Sequence, residues 1–221
     1  MPTQDLDFAA PFFGVEFVTD TPVRAIAARS IFLNLGSAPV SLEAQQLAPL
    51  QSAILANVEV RDIEQAVIIT GFEAHGDDAA LFARVRAHWP SAFEVRGEER
   101  LRGVEHYMSP KVWVGNIGLT MYHSGSVPLK VGLHRDHPFC PVPGFREVHT
   151  QIVGVGKMQQ CRERDIATLY LEETMAPGTT HRPMYDDQGN YPWHQFETVT
   201  PSIFMAVEML PPGATPPQPA A

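Results

Sequence analysis

From Lys111 onward the chain breaks into short apolar runs, usually separated by Gly, Pro, Asn or Asp. Val112–Tyr122, Leu129–Leu133, Glu147–Val153, Ala167–Glu172 and Ile203–Met209 are each rich in strand-forming residues. Runs this short cannot bury their apolar side alone, and so many at this spacing predict a sandwich or small barrel. The chain is therefore expected to be mainly β in its second half.

Within that half, Leu133 to Gln159 concentrates the chemistry. It holds three of the nine histidines, His134, His137 and His149, with Asp136 and Glu147 between them, and a Gly154-Val155-Gly156 turn follows. Imidazole and carboxylate in one stretch suit a divalent metal ion. Side chains alternate along a strand, so Glu147, His149 and Gln151 share one face and Val148, Thr150 and Ile152 the other. Taken alone, that polar row also fits a half-buried strand with one side in water.

The first hundred residues carry no comparable motif. Val15–Val18 and Ile31–Leu35 read as strands, Ser41–Ala56 as a helical stretch interrupted by Pro49, and Ala66–Thr70 as a short buried strand. Asp77–Trp89 is the clearest helix, with Asp77 or Asp78 as its cap, a Leu81, Phe82, Val85, Trp89 stripe, and Pro90 after its end. Three units follow: a mixed α/β covering segment over 1–105, a barrel over 106–210, and a loose Pro-rich tail over 211–221. His75, His88 and His106 lie in the motif-poor half and read as surface or packing residues. His123 sits at a strand end, where packing is again the plainer reading.

The net charge of −9 argues against nucleic acid or an anionic membrane surface as partner. Two cysteines, Cys140 and Cys161, need no disulfide framework, and Cys140 reads as a buried, inert thiol. The start has no basic stretch ahead of its apolar residues, so a cytoplasmic location is the expectation. GxSxG and GxGxxG motifs, a phosphate loop and Cys-x-x-Cys pairs are all absent from the sequence.

In order and spacing, the second half resembles the cupin superfamily. A histidine pair is followed by Glu147, and Gly154 stands seven residues beyond it. Pro177-Gly178, Pro183 and His194 form a stretched version of the second cupin motif, and EVHTQIVGVGKMQQ is similar to a strand of the cupin-type sugar-phosphate isomerases. The chain departs from the pattern in its His134-Arg-Asp136-His137 pair and in the long loop before Glu147. What the resemblance implies is a jelly-roll (double-stranded β-helix) barrel around one divalent metal, with an N-terminal mixed α/β extension.

Four ligand sets follow from it. The first is His134, His137, Glu147 and His194. The second is the triad His134, Asp136 and His194, as in iron and 2-oxoglutarate oxygenases, for which Arg146 or Arg182 would have to anchor the co-substrate. The third replaces Glu147 by His149, and the fourth replaces His194 by His181. The resemblance implies an enzyme acting on a small oxygen-rich molecule: a non-haem Fe(II) dioxygenase first, or a sugar or keto-acid isomerase or lyase using Zn, Mn or Ni. In the latter, Glu147 or His149 would move the proton. A non-catalytic ligand-binding module is the reading from another class, and a homodimer is compatible with all three.

Overall fold

A computed structural model describes residues 3–75, 80–138, 140 and 142–217. Three antiparallel sheets stack on one another. The first holds β1 (Thr3–Leu6), β2 (Gly14–Ile26), β3 (Ser30–Asn34), β4 (Val40–Leu42), β5 (Gln45–Leu47), β6 (Ser52–Leu55) and β7 (Val58–Thr70). Its order is β1-β2-β7-β3-β6, with β4 bridging β7 to β5. Two helices follow, α1 (Leu81–His88) and α2 (Ala92–Arg96). Then come β8 (His106–Met108), β9 (Val112–Val114), β10 (Ile117–Ser124), β11 (Arg146–Val153), β12 (Gly156–Cys161), β13 (Leu169–Met175), β14 (Trp193–Thr198) and β15 (Ser202–Met209). The middle sheet runs β11-β15-β10-β8 with β9 beside β10, and the third runs β13-β12-β14. No helix among the described residues is long and apolar enough to cross a membrane.

The expected mixed α/β covering segment is mostly β. Ser41–Ala56 is not helical but forms β4, β5 and β6. Its apolar residues recur at uneven intervals that match no helical stripe, and Leu50 takes φ +60° in the turn before β6. Leu129–Leu133 is not a regular strand either; it meets β14 through an isolated bridge at Lys130 and hydrogen bonds from Val131 to the Phe196 carbonyl and between Leu129 and Thr198. The clear helix begins later than expected, at Leu81, and its Ala80 cap makes no side-chain hydrogen bond. The Asp77 and Asp78 caps lie outside the described residues. The tail is not wholly loose, because Ala214 packs against the Cys140, Phe145 and Leu210 cluster.

The middle sheet is buried on both sides. Leu119, Met121, Val148, Ile152, Met205 and Val207 meet Ile31, Leu33, Val67 and Ile69 of the first sheet in the largest core. A fully buried side chain of this size contributes roughly 1.5–3 kcal/mol, so this face dominates the stability. The other face, with Tyr122, Phe204 and Ala206, meets Met158 and Phe196 of the third sheet. These two sheets form the barrel. Chain passes between them at Gly154, where φ is +72° and a Cβ would stand 2.0 Å from the Pro201 carbonyl oxygen; only glycine fits there.

One clasp ties the first sheet to the barrel wall. Ser52 of β6 donates to the Gly178 carbonyl at 2.8 Å, and its Oγ lies 2.6 Å from Thr180 Oγ1. Thr180 Oγ1 in turn lies 2.7 Å from Thr150 Oγ1 on β11. Gly178 packs so closely on Ile54 that a Cβ would come within 2.6 Å of it.

Candidate metal centre

His134, His137 and His194 converge inside the barrel, their nearest ring nitrogens all within 4.8 Å of one another. His134 and His194 face each other across an isolated antiparallel bridge, each residue's N–H donating to the other's carbonyl at 3.0 and 2.8 Å. His194 is the second residue of β14 and is buried. His137 comes from the loop after that bridge and packs on Phe145 and Tyr191.

Hydrogen bonding orients two of these rings. His134 Nδ1 lies 2.9 Å from the Gly132 carbonyl oxygen, and His194 Nδ1 lies 3.0 Å from that of Pro192. A carbonyl only accepts, so each Nδ1 carries the proton and each Nε2 presents a lone pair. His137 Nε2 and His194 Nε2 are buried with no hydrogen-bond partner among the described residues. Burial, then neighbouring imidazoles and arginines, holds His134 well below the ordinary histidine range, and burial brings His194 down to about 3. These are neutral imidazoles with unused lone pairs in one place. That is what a divalent cation requires.

Glu147 stands beside this trio rather than in it. Its Oε2 is 3.5 Å from His137 Nε2 and its Oε1 is 3.5 Å from His149 Nε2. Burial works to raise its pKa, but His149, His137 and Arg96 outweigh that and hold it well below the usual carboxylate range. Across the strand pair Glu147 meets Glu208, whose charge is tied 2.5 Å away to Lys111 Nζ. His149 Nδ1 is a further buried atom without a partner among the described residues.

The other candidates lie elsewhere. Asp136 is exposed, on the wall of an outer pocket of about 680 Å³ that also includes His137, Asn190 and Tyr191. His181 is buried, but both of its nitrogens are taken by backbone: Nδ1 faces the Arg182 carbonyl at 2.7 Å, and Nε2 accepts from the His149 N–H at 2.9 Å. It braces His149 and has no lone pair left for an ion. Arg146 stacks on Tyr185 and Arg182 pairs with Glu173, so neither lines the inner cavity. His123 packs between Phe82 and Tyr107 outside the site.

Sequence reasoning missed three residues around an inner cavity of about 40 Å³, Arg96, Arg100 and His106; Tyr122, which reads in the sequence as core packing or pocket lining, lines it too. Arg96 ends α2, whose start is fixed by a Ser91–Glu94 capping box and whose end is closed by Gly97 at φ +68°. Glu98 then binds both guanidinium groups, Arg96 Nη2 at 2.5 Å and Arg100 Nη2 at 2.7 Å, with all three side chains at most 16% exposed. Arg96 also donates to the Tyr122 hydroxyl at 3.2 Å, and Tyr122 stacks on His106 at 4.9 Å. The capping box was the available signal. The charged run after it reads most simply as a solvated surface.

No family model matches the sequence, and no curated protein matches it. Solved structures do resemble the chain. A sugar phosphate isomerase of the cupin superfamily from Silicibacter pomeroyi is 17% identical over 49% of this chain, with TM-score 0.35. The match spans 61% of that isomerase, less than two thirds of its length. A cupin 2 conserved barrel domain protein from Leptotrichia buccalis is 10% identical, covering 95% of this chain and 88% of its own, with TM-score 0.34. An oxalate decarboxylase from Bacillus subtilis is 7% identical, covering 94% and 72%, with TM-score 0.36. By its own strands the chain is mainly β, and two of the solved structures it resembles are described as cupin proteins.

Proposed function

We propose that this chain is a single-metal enzyme that moves a proton on a small, oxygen-rich substrate, as an isomerase or lyase does. His134, His137 and His194 would hold the cation through their Nε2 or equivalent ring nitrogens. Once bound, such an ion polarises a carbonyl or acidifies a water. The observation that carries the reading is Glu147 placed between the trio and His149, 3.5 Å from an imidazole nitrogen on either side. An ionised carboxylate there accepts a proton from a substrate in the cavity, and His149 Nε2 is positioned to receive it next. His181 fixes the backbone beneath His149 during that exchange. Aromatic walls from Tyr122 and Phe204 keep bulk water out.

A second reading gives Glu147 to the metal as a fourth donor. Three imidazoles and a carboxylate suit Fe(II), and oxygenation of a chelating substrate becomes the reaction. The variant Glu147→Gln separates the two. Under proton transfer the variant keeps its metal, but exchange of solvent deuterium into hydroxy- and keto-acid substrates drops roughly a hundredfold or more. Under oxygenation the variant loses metal, and the parent protein, loaded with iron, consumes dioxygen. Zinc, manganese or nickel in the purified protein favours the first reading and iron the second. Protein that takes up no metal would defeat both and leave a ligand-binding module.

A further inference from the structure

We propose that Arg96 and Arg100 make the inner cavity a receptor for a small carboxylate, so that this helical insert, and not the barrel strands, sets the charge of the substrate. The inference rests on the metal reading above.

Charge balance carries it. Around the cavity, Arg96 and Arg100 bring two positive charges, while Glu98 and Glu147 bring two negative ones. As ligands to a cation the histidine trio would contribute lone pairs and no charge, and backbone carbonyls at Nδ1 already set that tautomer for His134 and His194. Without a cation the walls balance. A divalent ion adds two charges that the described walls do not offset, and an uncompensated charge in a dry interior is costly. An anionic ligand restores the balance.

Size and placement narrow the anion. Glu98 fixes both guanidinium groups at the cavity wall, taking Arg100 through Nε at 2.8 Å and Nη2 at 2.7 Å, while Arg100 Nη1 donates to the Val131 carbonyl at 2.8 Å. The positive charge held there favours an anion of carboxylate size. A water needs roughly 10–15 Å³ of space by the usual measure, so about 40 Å³ admits an ion and a group of carboxylate size. His137 borders both this cavity and the outer pocket, where Arg135, Asn190 and Tyr191 offer polar contacts. The ligand therefore has a buried carboxylate head and a polar body directed toward the mouth.

Calorimetric titration of the full-length, metal-loaded protein tests this, with malonate, its neutral counterpart malonamide, and inorganic phosphate as probes. Metal content is measured on every sample. Malonate is expected to bind at least tenfold more tightly than malonamide, more tightly than phosphate, and at least tenfold more tightly than to metal-stripped protein. Arg96→Gln and Arg100→Gln should each weaken malonate at least tenfold with metal retained. Glu98→Gln removes a negative charge beside the same arginines, so it should leave malonate binding unchanged or tighten it. A purely structural role for the three residues would make all three variants weaken binding alike, and that result would overturn the proposal. So would equal affinity for malonamide, or tighter binding of phosphate. Should the arginine variants not fold, Glu98→Gln and the malonamide comparison decide. Absence of metal overturns the metal reading and this one together; metal without a preference for malonate overturns this one alone.

Discussion

The two faces of the middle sheet are made by the same strands and do different work. Toward the first sheet, β10, β11 and β15 present Leu119, Met121, Val148, Ile152, Met205 and Val207, a continuous apolar layer. Toward the barrel interior they present Tyr122, Glu147, His149 and Phe204. The interior also holds buried nitrogens without partners among the described residues, on His137, His149 and His194. Each such atom costs about 1–3 kcal/mol if nothing binds it. The outer face supplies the stability that lets the inner face remain unsatisfied. A site that must leave lone pairs open needs a well-packed layer behind it.

The largest effect expected is on the inner face. His194→Ala should reduce bound metal from one per chain to under a tenth, read by elemental analysis, with little change in the melting temperature of metal-free protein. Retained metal would mean that the inner face is not the centre. The converse substitution is Leu119→Ala, at a fully buried position on the outer face. It should lower unfolding free energy by about 3 kcal/mol in denaturant titrations while leaving metal stoichiometry intact. Loss of metal in that variant would show that the faces are not separable.

A pH series sharpens the boundary between them. His123 lies at the outer-face edge of β10, stacked on Phe82 at 4.6 Å, and burial brings its pKa from 6.5 down to about 4. Its lowered pKa means that the unfolded chain takes the proton first. The associated stability is whole above pH 6.5, falls as pH drops, and is gone below about pH 4, a loss on the order of 3 kcal/mol. His123→Phe keeps the stacking and should lose correspondingly less stability than the parent between pH 7 and 4. Identical acid profiles would place the sensitivity entirely on the inner face. The smallest effect is Ser91→Ala, which removes the cap of α2 and should cost about 1 kcal/mol, measured by thermal unfolding.

Much of the barrel was legible because its strands are short and punctuated. Glu147–Val153 and Ile203–Met209 form β11 and β15 within a residue at each end. β12 and β14 were not, because Lys157, Gln159 and Gln160, like His194 and Gln195, look like loop until the barrel buries them. The resemblance left four ligand sets open, and it is the geometry that brings His134, His137 and His194 together. Proximity in sequence misled for Asp136, which is exposed at the outer pocket, and the motif order misled for His181, whose nitrogens both serve the backbone. Arg96 and Arg100 were hidden for a different reason. Their burial depends on one shared carboxylate, Glu98, and on a barrel formed wholly from later residues. In the first half, the unevenly spaced leucines of Ser41–Ala56 are explained by three strand partnerships, β4 with β7, β5 with β4 and β6 with β3.

The Ser52–Thr180–Thr150 clasp has a consequence for how this chain can be taken apart. Residues 178–181 hang between β6 on one side and β11 on the other, and His181, which braces His149, is the last of them. Severing the molecule near residue 105 would strip the hydrophobic backing from the wall that carries Glu147 and His149 and also let that brace drift. The amino-terminal sheet is thus a founding wall of the inner cavity, and a barrel excised without it would lose the layer its own strands pack on.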